Sequence, residues 1–315
     1  MPIDVTFLVA AYNAQETIGS AIESALAQEN VSAEVVVVDD CSTDRTAEIV
    51  QAFPPDRVRH IRLEHNRGPG GARNAGLEAA RGRWIAILDA DDTVYPDRLS
   101  GLLQRADRTG SELVVDDLDV VDDATGASRP MFGAARLRAL PQMTPADYIG
   151  GNLLFEEKFS FGYLKPVIER EFVRRHVLRY VENVRIGEDY LFMASALAAG
   201  ARCAVEPEAG YAYHVRPGSV SRVLDLDHVE AMLAADEEFL ETRHLDAAAE
   251  KAQAMRSRNL RKAAAYLAIV GHLKERAGLR AALTAARNPA AVGLLKMPLS
   301  VRLHRLARPF TAPAN

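Results

Sequence analysis

Between residues 4 and 92 the chain switches repeatedly between two hydrophobic patterns, and this alternation restricts the fold more than any other feature. Residues 4–10 (Asp-Val-Thr-Phe-Leu-Val-Ala) and 34–38 (Glu-Val-Val-Val-Val) are short β-branched apolar runs. Such runs suit strands covered on both faces of a parallel sheet. Between them, in the stretch from Gln15 to Gln28, Ile18, Ala21, Ile22, Ala25 and Leu26 recur at three- and four-residue spacing, which predicts a helix with one apolar stripe. The pattern repeats through Thr43–Phe53 (helix), Val58–Leu63 (strand), Gly71–Ala80 (helix) and Trp84–Leu88 (strand). Strand, helix, strand in repetition predicts a doubly wound α/β layer. Right-handed crossovers then bring the carboxyl ends of the strands to one edge, where such sheets bind ligands.

Beyond Asp92 the pattern predicts a helix near Asp97–Arg108, a strand near Leu113–Val115 and an acidic turn at Asp122–Gly126. Residues 127–143 read as a surface loop. A helix over Glu188–Ala199 is followed by two strands, Arg202–Val205 and Tyr211–His214, and from about Leu226 the chain is helical and rich in Ala, Leu and Arg. The expected division is one domain over 1–222, with halves meeting near residue 117, and a basic helical extension over 223–315.

With 315 residues and 48% hydrophobic content, the chain can bury a substantial core. Its two cysteines, Cys41 and Cys203, make neither a disulfide framework nor a thiolate zinc site. No basic leader and no run of about 18 apolar residues is seen, so a cytoplasmic protein is expected. The net charge of −5 conceals an asymmetry, because residues 251–315 carry 13 Lys or Arg against one acid, Glu275. Such a tail suits a polyanionic neighbour. The acidic body is unsuited to nucleic acid.

Four strand ends terminate in polar groups: Tyr12 and Asn13, Asp39 and Asp40, the stretch His65–Arg73, and Asp89 to Asp92. An isolated Asp after a strand is more often a turn residue or helix cap. Three carboxylates within four residues, as in Asp89-Ala-Asp91-Asp92, instead repel one another unless a cation lies among them, and hard oxygen ligands favour Mg²⁺ or Mn²⁺. A nucleotide-diphosphate donor needs such an ion to neutralise the departing diphosphate.

Five segments, Val-Ala-Ala-Tyr-Asn (9–13), Val-Val-Asp-Asp-Cys-Ser-Thr-Asp (37–44), Asn-Arg-Gly-Pro-Gly-Gly-Ala-Arg-Asn-Ala-Gly (66–76), Leu-Asp-Ala-Asp-Asp (88–92) and Gly-Glu-Asp (187–189), resemble in order and spacing the motifs of family 2 glycosyltransferases. The resemblance implies a GT-A fold, a mixed nucleotide-binding sheet, and inversion at the anomeric carbon. It places Ala10, Tyr12, Asn13 and Asp40 against a uracil ring and ribose, and Arg73 near the base or phosphates. Asp89 then holds the ribose or the metal, and either Asp91 or Asp92 is the direct metal ligand.

The resemblance also makes Asp189, with Glu188 beside it, the catalytic base for an acceptor hydroxyl; the alternative is that both acids stabilise a helix N-terminus. The segment Tyr211–Ser221 is similar to the family's loop over the diphosphate, with Arg216, Ser219 and Ser221 as donors to its oxygens. His214 is a metal ligand, a phosphate contact or a structural residue.

The reaction implied is a metal-dependent inverting transfer of a hexose, glucose foremost, from a UDP-sugar to a glycan or lipid-linked saccharide in exopolysaccharide assembly. The tail from Gly293 to Phe310 suits either the anionic inner leaflet of a plasma membrane or a protein contact, including the second subunit of a homodimer. Two other enzyme classes fit less well. A sugar nucleotidyltransferase or NAD-binding protein would carry its glycines after the first strand, whereas here that strand runs into Ala-Tyr-Asn. An inert nucleotide-sugar-binding module is the third alternative.

Overall fold

The computed structural model describes residues 3–156, 159–216 and 224–296. The expected alternation opens the chain: β1 (Val5–Ala11), α1 (Ile18–Leu26), β2 (Ala33–Asp39), α2 (Thr46–Gln51), β3 (Val58–Arg62), α3 (Gly68–Ala79) and β4 (Trp84–Asp89). These four strands are parallel in the order β3-β2-β1-β4. Helix α1 buries the apolar stripe seen in the sequence. Helix α3 begins three residues before the predicted Gly71 and lies on β1 so closely that a Cβ on Gly76 would fall 2.6 Å from Leu8 Cγ. That contact requires glycine.

The second half completes a mixed sheet. β5 (Thr93–Val94), α4 (Arg98–Thr109), β6 (Leu113–Asp122), β7 (Ala127–Pro130), α5 (Ala134–Arg138), β8 (Gln142–Met143), α6 (Pro145–Gly150), β9 (Val167–Glu169), α7 (Arg170–Arg175), α8 (Glu188–Ala198) and β10 (Cys203–Val215) follow. The sheet runs β3-β2-β1-β4-β9-β6-β10-β5, with β7 on β6 and β8 on β10. β9 is antiparallel to both β4 and β6, so it joins the parallel half to the rest.

Three expectations are corrected. Residues 127–143 are not simply a loop, because β7 folds back on β6 through the predicted acidic turn, and α5 and β8 follow. The strand expected to stop at Val115 continues to Asp122, because each acid along it has a partner. Asp116 pairs with Arg98 at 2.8 Å, Asp117 accepts the amides of Phe132 and Gly133, and Asp119 accepts the Tyr95 hydroxyl. Finally, the two strands over 202–214 are one, β10, whose register against β6 shifts between Glu206 and Tyr211.

The C-terminal helices are α9 (Leu226–Thr242), α10 (Ala247–Lys274), α11 (Gly278–Arg287) and the short α12 (Pro289–Val292). They do not simply follow the sheet domain. Ala235, Phe239, Leu245, Ala249 and Ala252 belong to the same core as the sheet. A buried polar joint fastens α10 below α8: Arg256 pairs with Asp236 at 2.9 Å, donates to the Asn152 carbonyl and lies 3.6 Å from the centre of the Tyr190 ring. Gln253 bridges Asp236 and the Tyr190 hydroxyl. Burying these charges is offset by their pairing, with Asp236 Oδ2 accepting from both Arg256 and Gln253, although Asp236 Oδ1 is buried without a partner among the described residues.

Candidate active site

The register of the parallel strands gathers the polar strand ends. Ala11 is opposite Asp39 across β1 and β2, and Ala10 is opposite Asp89 across β1 and β4. The carboxyl ends of β1, β2 and β4 therefore share one edge. Tyr12 projects there, 53% exposed. Asn13, at φ +50°, turns its carboxamide oxygen to the Thr43 amide at 2.8 Å and gives its own amide to Ser42 Oγ. Asp40 is buried, with Oδ1 accepting the Arg67 amide at 2.7 Å, while its other carboxylate oxygen accepts nothing from the described residues. Tyr12, Asn13 and Asp40, the residues expected to seat a nucleotide, thus lie at this shared edge.

A buried cation–carboxylate network fills the centre. The Arg73 guanidinium spans Asp89 at 2.8 Å, Glu188 at 2.8 Å and Asp189 at 3.2 Å. Lys165 Nζ lies 2.6 Å from Asp89 and 3.2 Å from Asp189. Arg73, expected near the base or phosphates, is 5% exposed, and its guanidinium is directed at the three carboxylates. The lysine was not identified from the sequence. It stands two residues before a three-residue strand, and only the antiparallel pairing of β9 with β4, Ala86 opposite Val167, carries it to the end of β4 beside Asp89. Arg98 fixes it there by donating to the Lys165 carbonyl at 2.8 Å.

Asn74 was also missed. It both donates to and accepts from the Tyr180 backbone, holding the segment that leads to α8. Gly187, at φ +101°, turns that segment into the helix, a conformation that disfavours any side chain. Glu188 and Asp189 are consequently the first residues of α8, where its dipole favours negative charge.

The electrostatics separate the acids. Burial alone would raise the Asp89 carboxyl, but the charges of Lys165 and Arg73 outweigh it and hold it below the usual carboxylate range. Burial, then the charge of Asp189, pushes Glu188 up to about 7 against the pull of Arg73. Asp92 is raised well above its ordinary value by burial and by Asp89 and Asp91. Burial acts to lower Lys165, yet Asp89 and Asp189 leave it raised.

Among Asp89, Asp91, Asp92 and His214, the structure separates rather than gathers the expected metal ligands. Among the described residues no group of three or more His, Cys, Asp or Glu is arranged to hold a metal ion. Asp89 is committed to Arg73 and Lys165. Asp92 points inward, accepting the Tyr211 hydroxyl at 2.8 Å and the His214 amide at 2.9 Å. Both ring nitrogens of His214 are engaged, one with Thr93 Oγ1 and the other with Asp123. Asp91 alone presents an exposed carboxylate without a protein donor among the described residues, raised by the surrounding protein and by Asp89. One free carboxylate fits an ion such as Mg²⁺ or Mn²⁺ that shares its coordination with donor phosphates, since such ions are commonly held by one or two carboxylates plus substrate.

Arg216 reaches the same mouth, donating to Asp123 and, at 2.9 Å, to the Asp91 carbonyl. Ser219 and Ser221 lie outside the described residues.

Comparison with known proteins agrees with this geometry. Residues 6–172 match the family model for glycosyl transferase family 2. The chain is 56% identical over 312 residues to the succinoglycan biosynthesis protein ExoO of Rhizobium meliloti, covering 99% of this chain and 89% of that one. The crystal structure of S. aureus TarS 1–349 in complex with UDP-GlcNAc superposes with a TM-score of 0.62 over 82% of this chain and 70% of that one, at 24% identity. The mannosyltransferase PcManGT from Pyrobaculum calidifontis, in complex with GDP-Man and Mn²⁺, superposes with a TM-score of 0.61 over 96% and 81%, at 19% identity. With the matched model spanning more than half of its length and the ExoO likeness nearly all of it, the chain belongs to glycosyl transferase family 2 and has the GT-A fold.

Proposed function

We propose that this enzyme transfers a hexose from a UDP-sugar to a hydroxyl of a growing glycan or lipid-linked saccharide in polysaccharide assembly, with inversion and with a divalent metal. The observation that carries the reading is the placement of Asp189. It opens α8 with its side chain 21% exposed, across Lys165 and Arg73 from the donor-side carboxylate Asp89. Asp189 is thus the group that takes the proton from the acceptor hydroxyl as its oxygen attacks the anomeric carbon. The new C–O bond forms as the bond from that carbon to the diphosphate breaks, on the opposite face, so an α-linked donor gives a β-linked product.

Tyr12, Asn13 and Asp40 would seat the base and ribose, with the free oxygen of Asp40 as acceptor for a base N–H. The metal would be held by Asp91 together with the diphosphate, and its chemistry is to neutralise charge on the leaving phosphates. Arg216, after leaving Asp123, would supply a second positive charge there. Donor hydroxyls would meet Asp89. The succinoglycan function named for ExoO supports polysaccharide assembly as the setting, and the UDP-GlcNAc and GDP-Man complexes of the structural relatives support a nucleotide-sugar donor.

A thermal-shift screen of UDP-, GDP-, dTDP- and ADP-sugars with and without Mn²⁺ tests the reading, because a true donor stabilises by mass action. UDP-sugars should raise Tm most, through a Mn²⁺-dependent increment that Asp91→Ala removes. No shift with any nucleotide sugar would end it.

Location follows from the same reading: a cytoplasmic enzyme, peripheral at the inner face of the plasma membrane. No helix among the described residues is long and apolar enough to cross a membrane. On α11 and its approaches, Leu273, Leu279 and Leu283 are exposed beside Lys274, Arg276, Arg280 and Arg287. An exposed apolar face flanked by cations suits an anionic lipid surface. Most of the basic tail proposed for the same contact lies outside the described residues.

A further inference from the structure

Lys165 is a buried cation that the reaction outlined above does not use. Its side chain is 6% exposed, and its ammonium is held at 2.6 Å from Asp89 and 3.2 Å from Asp189. A lysine buried in this way costs desolvation, and that cost is offset only when several oppositely charged partners are in contact. Here the partners are the carboxylate at the end of β4, on the donor side, and the one at the start of α8, on the acceptor side. Arg73 approaches the same two acids from α3, but it is also shared with Glu188. Its guanidinium therefore cannot follow Asp189 independently.

We propose that Lys165 is a positioning residue for the catalytic base, tying the Asp189 carboxylate to Asp89 so that base and donor are held at a fixed separation. The proposal rests on the reading of Asp189 as the base.

Several features argue for a tether over a generic core ion pair. The lysine is anchored from behind, because Arg98 donates to its carbonyl while pairing with Asp116 through two bonds of 2.8 and 2.9 Å. Arg98 in turn lies 5.3 Å from the Tyr211 ring centre, and the Tyr211 hydroxyl holds Asp92 and the Asp89 amide. One continuous chain of contacts therefore fixes both the lysine and the strand end that it grips. Asp189, by contrast, has no such anchor. Its Oδ2 is bonded to Lys165 and its Oδ1 to Arg73, and no hydrogen bond from a backbone amide reaches either oxygen among the described residues. Of those two bonds, only the lysine's leads directly and exclusively to the donor side. A carboxylate on the first turn of a helix has staggered rotamers open to it, and the lysine selects the one that faces Asp89. Misplacing a reacting group by about 1 Å costs on the order of a hundredfold in rate.

The test compares Lys165→Met, Lys165→Gln and Lys165→Arg with the native enzyme. UDP binding in the presence of Mn²⁺ is measured by calorimetry, turnover as UDP release from UDP-glucose, UDP-galactose and UDP-GlcNAc, and the position of Asp189 by crystallography. With Met or Gln, kcat should fall about a hundredfold while UDP affinity stays within about twofold, and Asp189 should turn from Asp89 onto Arg73 alone. Arg should recover at least tenfold of the lost rate and restore the rotamer. An unmoved Asp189 in the Met or Gln variant overturns the proposal, as does loss of UDP binding in step with kcat. Asp189→Asn run alongside separates the two ideas. If it keeps native turnover, the base reading fails, and the crystallographic result alone then decides whether Lys165 holds that carboxylate.

Discussion

At the scale of single residues, the site is a problem of charge placed out of water. Asp89, Glu188 and Asp189 share two cations, Arg73 and Lys165, and this imbalance decides which acid retains a proton. Glu188 does, since burial and then Asp189 push it from an ordinary 4.5 up to about 7. The folded chain therefore binds more protons here than the unfolded chain between those values. Its contribution to stability is complete below pH 4.5 and is lost as the pH rises towards 7. Glu188→Gln has no such titration, so its Tm relative to the native enzyme should climb from pH 4.5 to 7 and then level off. A difference in Tm that stays flat across that window would contradict the assignment. Asp189, the proposed base, keeps its side chain 21% exposed, so that an acceptor would have access to it.

At the scale of elements, the parallel half was legible because hydrophobic period marked its strands and α1, while the glycine-rich α3 starts three residues earlier than its pattern predicts. Each β-branched run became a strand, and the stripe of Ile18, Ala21, Ile22 and Ala25 became the buried face of α1. The second half was not, for identifiable reasons. β6 carries Asp116, Asp117 and Asp119, which look like the end of a strand until Arg98, the Phe132 and Gly133 amides and Tyr95 are seen to satisfy them. β9 has three residues, too few to show alternation, yet it places Lys165. Conversely, sequence spacing does not reveal that Asp92 turns inward to the Tyr211 hydroxyl and the His214 amide, or that both ring nitrogens of His214 have protein partners. The entry to α8 depends on one backbone conformation. Gly187→Ala would force a side chain into the left-handed region with its Cβ 3.2 Å from Met232 Cε. It should cost about 1–2 kcal/mol in denaturant unfolding and lower kcat through displacement of Asp189. Native stability in that variant would show that the turn is not strained.

At the scale of the whole molecule, the C-terminal helices brace the machinery rather than trail from it. Tyr190, next to the proposed base, lies between Tyr148, stacked at 5.6 Å, and the Arg256 guanidinium, and Asp236 neutralises that guanidinium. Asp236→Ala leaves a buried arginine without its counter-ion and should destabilise by about 3–5 kcal/mol in urea unfolding. A loss below about 1 kcal/mol would show the joint to be dispensable. Sheet edge, α8 and the C-terminal brace meet around one carboxylate, that of Asp189, the proposed base. The direct test is Asp189→Asn, measured for UDP binding with Mn²⁺ and for sugar transfer from the donor that the thermal-shift screen selects. Binding should be retained while transfer falls by about a hundredfold to ten-thousandfold. Transfer at close to the native rate would contradict the assignment of Asp189 as the base.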